Sequence, residues 1–259
     1  MKMKKRFCFT VDDNIRCLRE LTEGTYASIF DQPYLGMYRR LHEKYGLKVQ
    51  LNLFYRSDDF DLSRMTDRYK DEWKKNSNWL KLSFHSDREN VKPYEHSGYG
   101  EVFEDCQSVH REIVRFASPD ALGKTTTVHY CLATDDGLRA LKDNGVAGLL
   151  GLYGNESKPR TSYQSTPKEG ELIRRGETVV SDGIAYAAID IVLNSFSKED
   201  ILSLLEALAE RSLVKIMIHE QYFYPDYPHY QSNFEEKISA AFGFLGKCGF
   251  ESIFFEESL

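Results

Sequence analysis

Short apolar stretches rich in β-branched and aromatic residues recur along the chain. Most are followed by a polar loop and then by a stretch in which apolar residues recur every three to four positions. The first pattern predicts buried strands, and the second predicts amphipathic helices. We predict strands over residues 7–11, 49–54, 79–84, 125–129, 146–152, 184–193, 214–218 and 252–255. We predict helices over residues 34–45, 67–76, 99–116, 134–144, 198–211 and 234–248.

This alternation predicts parallel strands, because each helix returns the chain to the same edge of the sheet. We predict an α/β fold in which the sheet closes into a distorted TIM-like β/α barrel of seven or eight parallel strands, as one domain over residues 1–259. An open, doubly wound sheet is the alternative, but the first turn between strand and helix lacks the glycine fingerprint of that fold. Residues 154–183 interrupt the repeat, and their pattern predicts a polar hairpin near 172–180.

Composition limits the partners and the compartment. The net charge is −6, and lysine and arginine are scattered among acidic residues, so no basic stripe indicates a nucleic-acid partner. No segment is long and apolar enough to span a bilayer, and the basic start of the chain leaves no room for a secretion signal. We therefore expect a cytoplasmic protein without a nucleic-acid or membrane partner. The five cysteines are odd in number and widely spaced, which predicts buried thiols rather than disulfides or a thiolate zinc site.

Polar groups directly follow four of the predicted strands. Asp12 and Asp13 are adjacent carboxylates, which repel each other unless they share a proton or a cation, although one of them could simply cap a turn. His85, His129 and His219 each follow another strand, and each taken alone could be a hydrogen-bonded structural histidine. In a barrel the carboxyl ends of all strands meet at one face, so we expect these groups to converge there on a metal.

An aromatic loop follows the seventh predicted strand. Tyr222, Phe223 and Tyr224 come two to four residues after His219, and Glu220 stands between them. Aromatic rings stack on the apolar faces of sugars, while carboxylates bind sugar hydroxyls. We predict that these four residues after His219 bind a carbohydrate substrate; the alternative is that the rings only cover the mouth of the barrel.

Three segments, in order and spacing, resemble the motifs of the polysaccharide deacetylase superfamily, also called the NodB-homology superfamily. The resemblance extends over most of the chain and implies a distorted β/α barrel and a divalent metal, with zinc as the expected ion. It also implies a hydrolase that removes an acyl group, such as acetyl, from an amino sugar or a polysaccharide. The segments are Thr10-Val11-Asp12-Asp13-Asn14, His85-Ser86-Asp87-Arg88-Glu89 and Ile216-Met217-Ile218-His219.

Carried over by position, the resemblance implies a role for each of four residues. Asp12 would be the general base, and His219 would be the general acid. Asp13 and His85 would be metal ligands. In such a site the metal polarises the acyl carbonyl, the base takes a proton from the attacking water, and the acid protonates the leaving amine.

The third metal ligand is left open. Glu89 stands where the family has its second histidine ligand, and it can bind a metal through oxygen. His129, at a neighbouring strand end, can bind through nitrogen instead. Asp190, after the apolar run of the sixth predicted strand, is a candidate for orienting a ligand.

Two other functions are compatible with the same residues. A glycoside hydrolase on this kind of barrel would use two carboxylates, such as Asp13 and Glu220, without a metal. A non-catalytic barrel would bind saccharide through the aromatic loop and show no turnover. Metal content separates the first alternative from a deacetylase, and turnover with added metal separates the second.

Overall fold

Strands and helices alternate along most of the chain, as the hydrophobic pattern predicts. The computed structural model describes residues 4–57, 59–89, 94–154, 157–158 and 160–259. None of the helices in these ranges combines the length and the apolar character needed to cross a bilayer. The strands are β1 (Lys5–Asn14), β2 (Val49–Phe54), β3 (Leu80–Ser86), β4 (Thr125–Thr126), β5 (Gly148–Gly151), β6 (Val179–Ser181), β7 (Ile184–Ala188), β8 (Ile191–Val192), β9 (Leu213–His219) and β10 (Phe250–Ile253). The α-helices are α1 (Arg16–Glu23), α2 (Pro33–Tyr45), α3 (Lys70–Asn76), α4 (Tyr99–Phe116), α5 (Asp135–Asp143), α6 (Pro167–Arg174), α7 (Lys198–Ala207) and α8 (Phe234–Lys247).

Strand β1 lies at the centre of the larger, six-stranded sheet. It pairs with β9 on one side, and on the other side with β10 near its start and β2 near its end. Strand β3 extends the sheet beyond β2, and β8 extends it beyond β9. All of these pairs are parallel, so the carboxyl ends of β1, β2, β3 and β9 lie at the same edge.

A second sheet has the strand order β4-β5-β7-β6, and only its β6–β7 pair is antiparallel. The two sheets share one run of chain, because β7 pairs with β5 while β8, just after it, pairs with β9. At the opposite junction, between β3 and β4, an isolated bridge joins Leu82 and Leu122. The predicted α/β class and its mainly parallel strands are confirmed, and the distortion is a break in the ring of strands, which does not close among the described residues.

The two faces of β1 have different surroundings. Phe7 and Phe9 point to the helical layer, where their rings lie 5.0 and 4.9 Å from the ring of Phe242 in α8. Cys8 points the other way, into a small apolar cluster between the two sheets that also contains Met217 of β9. Because side chains alternate along a strand, Asp12 shares the inward face with Cys8. The interior of the strand assembly therefore leads directly to the predicted site.

The predicted helix ends at three positions are confirmed. The Thr134 side chain caps α5 by accepting a hydrogen bond from the Gly137 amide, and Ser197 caps α7 in the same way. Gly46 ends α2 with a φ of 64°, a left-handed conformation that glycine adopts without strain. These local signals need no tertiary partner, which is why they can be read from the sequence.

The predicted hairpin near residues 172–180 is wrong in its position. Helix α6 occupies Pro167–Arg174 instead, and it begins with a capping box between Thr166 and Glu169. The hairpin follows it as β6 and β7, joined by Asp182 and Gly183, both with positive φ. Residues 155, 156 and 159 of the interruption lie outside the described residues.

Candidate metal centre

An irregularity at the end of β1 sets the direction of the Asp13 side chain. The register between β1 and β2 shifts between Val11 and Asn14, and Asp13 has a φ of 64°. The Asn14 amide holds this shape by donating to the carbonyl oxygens of Val11, at 2.6 Å, and Asn52, at 3.1 Å. Such a bulge re-aims a side chain that would otherwise follow the strand alternation. Asp13 consequently reaches the end of β3, two strands away.

Three donor atoms from separate segments converge at this edge of the sheet. Asp13 Oδ1 lies 3.0 Å from His85 Nε2 and 3.4 Å from His129 Nδ1, and the two nitrogens lie 3.1 Å apart. Ligands held about 2.0 to 2.1 Å from a tetrahedral zinc ion are separated by roughly 3.3 Å. One carboxylate oxygen and two imidazole nitrogens at these separations therefore fit a divalent metal with a position left for water or substrate.

His85 is held in a fixed orientation by its surroundings. Its Nδ1 contacts the backbone carbonyl of Thr127, which leaves Nε2 to face Asp13. The ring of Phe54 packs against it at a centroid distance of 5.1 Å. A carbonyl partner on the far nitrogen is the usual way in which proteins fix the tautomer of a metal-binding histidine.

His129 stands on a strained turn. It begins the 3-10 segment His129–Cys131, in which Tyr130 has a φ of 63° and Cys131 a φ of 58°. Left-handed backbone is costly for such residues and is concentrated at functional sites. Its Nδ1 faces Asp13 and His85, while its Nε2 is buried and has no hydrogen-bond partner among the described residues.

The second oxygen of Asp13 has a partner that the sequence did not suggest. Gln221 Nε2 donates to Asp13 Oδ2 at 2.7 Å, so the two oxygens of this carboxylate face different groups. Gln221 follows Glu220 directly after β9, at the same edge of the sheet. Neutral amides carry no distinctive sequence signal, which is why Gln221 could not be identified from its position alone.

The electrostatic environment separates the two adjacent aspartates. Burial raises the pKa of the Asp12 carboxyl above its ordinary value, only partly offset by the nearby charges of His85 and His219. Burial would also raise the pKa of Asp13, but hydrogen bonds from His129 and His85 hold it well below its ordinary range. Burial alone would lower the pKa of His85, but the charge of Asp12 and the contact with Asp13 raise it. Asp13 is thus the carboxylate that stays charged beside the imidazoles.

Asp12 and His219 face each other across the central strand pair. Their Cα positions are partners in the β1–β9 ladder, so their backbones lie about 4.8 Å apart. Asn52 Nδ2 donates to Asp12 Oδ1 at 2.7 Å. His219 Nδ1 lies 2.9 Å from Asn194 Oδ1, which only accepts, so Nδ1 carries the proton. Neither asparagine was predicted, although Asn52 stands out as a polar residue within the buried strand β2.

Glu89 lies at the wall of a neighbouring cleft and is not part of the three-donor group of Asp13, His85 and His129. The cleft has a volume of about 240 Å³ and opens beside Asp13. Arg56 and Gln221 also line it. Of the two candidates for a third ligand, the structure therefore brings His129, rather than Glu89, to the donor atoms of Asp13 and His85.

Glu220 is buried, and its carboxylate is bound to the backbone. One oxygen accepts from the amides of Ile15, at 2.8 Å, and Arg16, at 3.0 Å. The other accepts from the amide of Cys17, at 2.8 Å, and from the hydroxyl of Tyr224, at 3.2 Å. The amides belong to the start of α1, a short helix that we did not predict and that has no side-chain cap of its own. Glu220 supplies that cap from far along the chain.

The aromatic loop is divided between the cleft side and the core. Tyr222 is partly buried, and its ring centroid lies 6.1 Å from that of His219. Phe223 and Tyr224 turn toward α2, where both rings pack against Tyr34. Tyr224 also lines the cleft beside Asp13. The four predicted substrate-binding residues therefore do not share one surface: Tyr222 lies nearest the catalytic histidine, and Glu220 lies beneath the cleft.

Asp190 has partners other than the site histidines. It forms ion pairs with Arg211 at 2.7 Å and with the buried Lys215 at 3.1 Å. The expectation that Asp190 orients a ligand is wrong, because this carboxylate neutralises basic groups of β9 and the segment before it. The carbonyl of Thr127 serves His85 instead.

Comparisons with known proteins agree with this architecture. No protein-family model matches the chain, and no curated protein matches it by sequence. Solved structures do match. A family 4 acetyl xylan esterase from Clostridium thermocellum, in complex with a cobalt ion, has a TM-score of 0.56 at 12% identity, covering 98% of this chain and 89% of that one. A putative polysaccharide deacetylase from Mycobacterium smegmatis has a TM-score of 0.58 at 9% identity, covering 99% and 90%.

A third similar structure has no catalytic activity ascribed to it. It is a family 4 pseudoenzyme from Bacillus anthracis, with a TM-score of 0.53 at 10% identity, covering 98% of this chain and 65% of that chain. At such identities the likeness concerns the fold and not the chemistry. The chain has the fold of the polysaccharide deacetylases, and the resemblance seen in its motifs is confirmed at the level of the fold.

Proposed function

We propose that this protein is a metal-dependent hydrolase that removes an acyl group, such as acetyl, from an amino sugar or a saccharide. The observation that carries the proposal is the convergence of Asp13, His85 and His129, with donor atoms 3.0 to 3.4 Å apart, beside Asp12. Zinc is the expected ion, because a site with one carboxylate and two imidazoles is typical of hydrolytic zinc enzymes. A bound divalent cation would supply Lewis-acid polarisation of the acyl carbonyl.

The residues around the donor atoms have distinct roles in this proposal. Asp12, anchored by Asn52, takes the proton of the attacking water. His219 stands opposite Asp12 and gives a proton to the leaving nitrogen from Nε2, while Asn194 fixes the ring through Nδ1. Tyr222, beside His219, is placed to contact the sugar. Asp13 remains charged and serves as the anionic ligand.

A metal-free glycoside hydrolase is disfavoured by the hydrogen bonds of its two carboxylates. Glu220 accepts from three backbone amides and one hydroxyl, and backbone donors cannot move away to free it for chemistry. Asp13 faces two imidazoles and the Gln221 amide. Neither carboxylate is open to a glycosidic bond in the way that a paired acid and nucleophile require.

The compartment and the extent of the domain also belong to the proposal. All five cysteines are free, which fits a reducing compartment such as the cytoplasm. In the cytoplasm a small N-acyl sugar is a more accessible substrate than a cell-wall polymer. We propose that residues 1–259 act as one catalytic domain.

The test combines metal analysis with acetate release. Purified protein is expected to bind one divalent metal per chain and to release acetate from N-acetylglucosamine oligomers. Chelation should abolish the release, and added zinc or cobalt should restore it. His85→Ala should lose both the metal and the activity, whereas the exposed His96→Ala should keep both. Full activity in metal-free protein would contradict the proposal, and stoichiometric metal without turnover of any acylated sugar would favour a non-catalytic binding protein.

A further inference from the structure

Gln221 lies between the metal-binding carboxylate and the cleft. Its Nε2 donates to Asp13 Oδ2 at 2.7 Å, and the residue lines the cleft that opens beside Asp13. Asp13 Oδ1, the other oxygen of the same carboxylate, is the atom that faces His85 and His129. The Gln221 amide is therefore separated from the proposed metal by a single carboxylate group.

The orientation of this amide is not ambiguous. A charged carboxylate only accepts hydrogen bonds, so the group facing Asp13 must be the amide nitrogen. The same amide also hydrogen-bonds the phenol of Tyr227 on the cleft wall, where it lowers the pKa of Tyr227, as a donor does. Both hydrogens of Nε2 are thus used within the protein. The carbonyl oxygen Oε1 must point elsewhere.

Oε1 is the unusual atom of this group. It is buried and has no hydrogen-bond partner among the described residues. A buried acceptor without a partner is unfavourable, and in a binding cleft it is the mark of a site that awaits a donor from the ligand. Water can occupy it before the substrate arrives.

The position of Oε1 narrows the choice of donor. The two heteroatoms of an amide are about 2.3 Å apart, so Oε1 lies within about 5 Å of Asp13 Oδ2, given the 2.7 Å bond. The acyl carbonyl of a substrate would sit beside the same carboxylate. In a secondary amide an N–H lies directly next to that carbonyl, whereas an ester has an oxygen without hydrogen at this place. Sugar hydroxyls lie farther from the reacting bond.

We propose that Gln221 has a double role: its amide nitrogen positions Asp13 for metal binding, and its carbonyl oxygen accepts the N–H of an N-acyl substrate. Gln221 thereby selects amides over esters. This inference rests on the proposed hydrolase function and goes beyond it, because it names the residue that sets the substrate class. Polar sites built to bind a donor reject analogues that lack it far more strongly than apolar pockets reject shape changes.

The test uses two substrates that differ only in the scissile group. One is the methyl glycoside of N-acetylglucosamine, and the other is the methyl glucoside with an O-acetyl ester at the same carbon. Acetate release gives kcat/KM for each, always at saturating zinc so that metal loss does not enter the comparison. The variants are Gln221→Met, which removes both polar atoms, and Gln221→Glu, which keeps an acceptor oxygen. Gln107→Met, on the exposed face of α4, is the matched control.

Gln221→Met is expected to lower the ratio of amide to ester turnover by about 10- to 100-fold. Gln221→Glu should keep the ratio within about three-fold of the wild type, and Gln107→Met should leave it unchanged. Zinc affinity, measured by calorimetry without substrate, should fall by about 10-fold or more in Gln221→Met. Circular dichroism and thermal unfolding confirm that each variant folds.

An unchanged amide-to-ester ratio in folded, zinc-saturated Gln221→Met would overturn the role in selection, and an unchanged zinc affinity would overturn the role in positioning Asp13. If the wild type turns over neither substrate although it binds zinc, the proposed function fails, and this inference fails with it. Turnover by the wild type with no effect of Gln221→Met sinks this inference alone.

Discussion

Two buried carboxylates lie at neighbouring strand ends of this molecule, and their partners differ in kind. Asp13 ends β1 and faces the imidazoles of His85 and His129. Glu220 follows β9 and accepts from the backbone amides at the start of α1. Imidazoles can lose a proton and turn a lone pair toward a cation, but backbone amides can only donate. Equal burial therefore gives a binding site in one case and a structural support in the other.

The contrast shows why a buried acid near strand ends is not by itself a functional residue. Glu220 belongs to the segment after β9 that the motifs singled out, yet its oxygens are occupied within the fold. Asp13 keeps one oxygen among groups that a metal can replace or share. The identity of the partner atoms, and not the depth of burial, separates the two roles.

The largest expected effect is on catalysis, at Asp13. Asp13→Asn removes the anionic ligand and should lower acetate release by at least about 10³-fold while metal is lost from the purified protein. Elemental analysis and an acetate assay on the same preparation measure both. Glu220→Gln should retain the metal, so metal loss in both variants would break the distinction between the two carboxylates.

A second effect, on stability, is expected at Glu220. Glu220→Gln places an NH₂ group against one pair of donors and should lower the free energy of unfolding by about 2 to 3 kcal/mol. Urea unfolding measures it, with the exposed Glu206→Gln in α7 as a control that should change by less than about 0.5 kcal/mol. A fully stable Glu220→Gln would show that the backbone contacts of Glu220 do not support α1.

The same contrast applies to imidazoles and predicts a pH effect. Burial lowers the pKa of His110 in α4 to about 4, whereas His85, beside two carboxylates, has a raised pKa. As pH falls from about 6.5 to about 4, the unfolded chain takes up a proton that folded His110 refuses, so stability is lost in this window. His110→Gln should lose about 2 kcal/mol less than the wild type across it. The exposed His229→Gln should follow the wild type; a His110 variant that does so too would argue against a neutral buried imidazole.

The smallest expected effect concerns the aromatic loop. Tyr222 lies beside His219, while the Tyr224 hydroxyl donates to Glu220. Tyr222→Ala should raise KM for the sugar by a few-fold, about 1 kcal/mol of binding, with little change in unfolding. Tyr224→Phe should instead lower the unfolding free energy by about 1 kcal/mol. Steady-state kinetics and urea unfolding of both variants would expose a reversed pattern, which would place the loop rings in the wrong roles.

The fold and the charged part of the site were predictable, but the supporting residues were not. Alternating apolar runs and helix caps such as Thr134 are local signals, and Asp12, Asp13 and His85 stand out because they end apolar strands. Asn52 and Gln221 act through contacts made by distant segments. No local pattern marks a neutral amide whose partner lies 40 or 208 positions away.

The role of Glu220 could not be predicted for a related reason. Its partners are backbone amides, which every residue has, so nothing in the sequence distinguishes Ile15 and Cys17 as donors. The turn at His129 was equally hidden, because the left-handed backbone of Tyr130 depends on the surrounding structure and not on its residue type. The choice between Glu89 and His129 as third ligand consequently needed coordinates.

The central claim is that one cation is shared by Asp13, His85 and His129. Crystals grown with zinc or cobalt, measured at the absorption edge of the metal, give the cation position independently of any assay. The account predicts one strong anomalous peak about 2.0 to 2.2 Å from Asp13 Oδ1, His85 Nε2 and His129 Nδ1. A peak bound by Glu89 and not His129 would contradict the donor set, and the absence of any peak near Asp13 and His85 at saturating metal would contradict the claim itself.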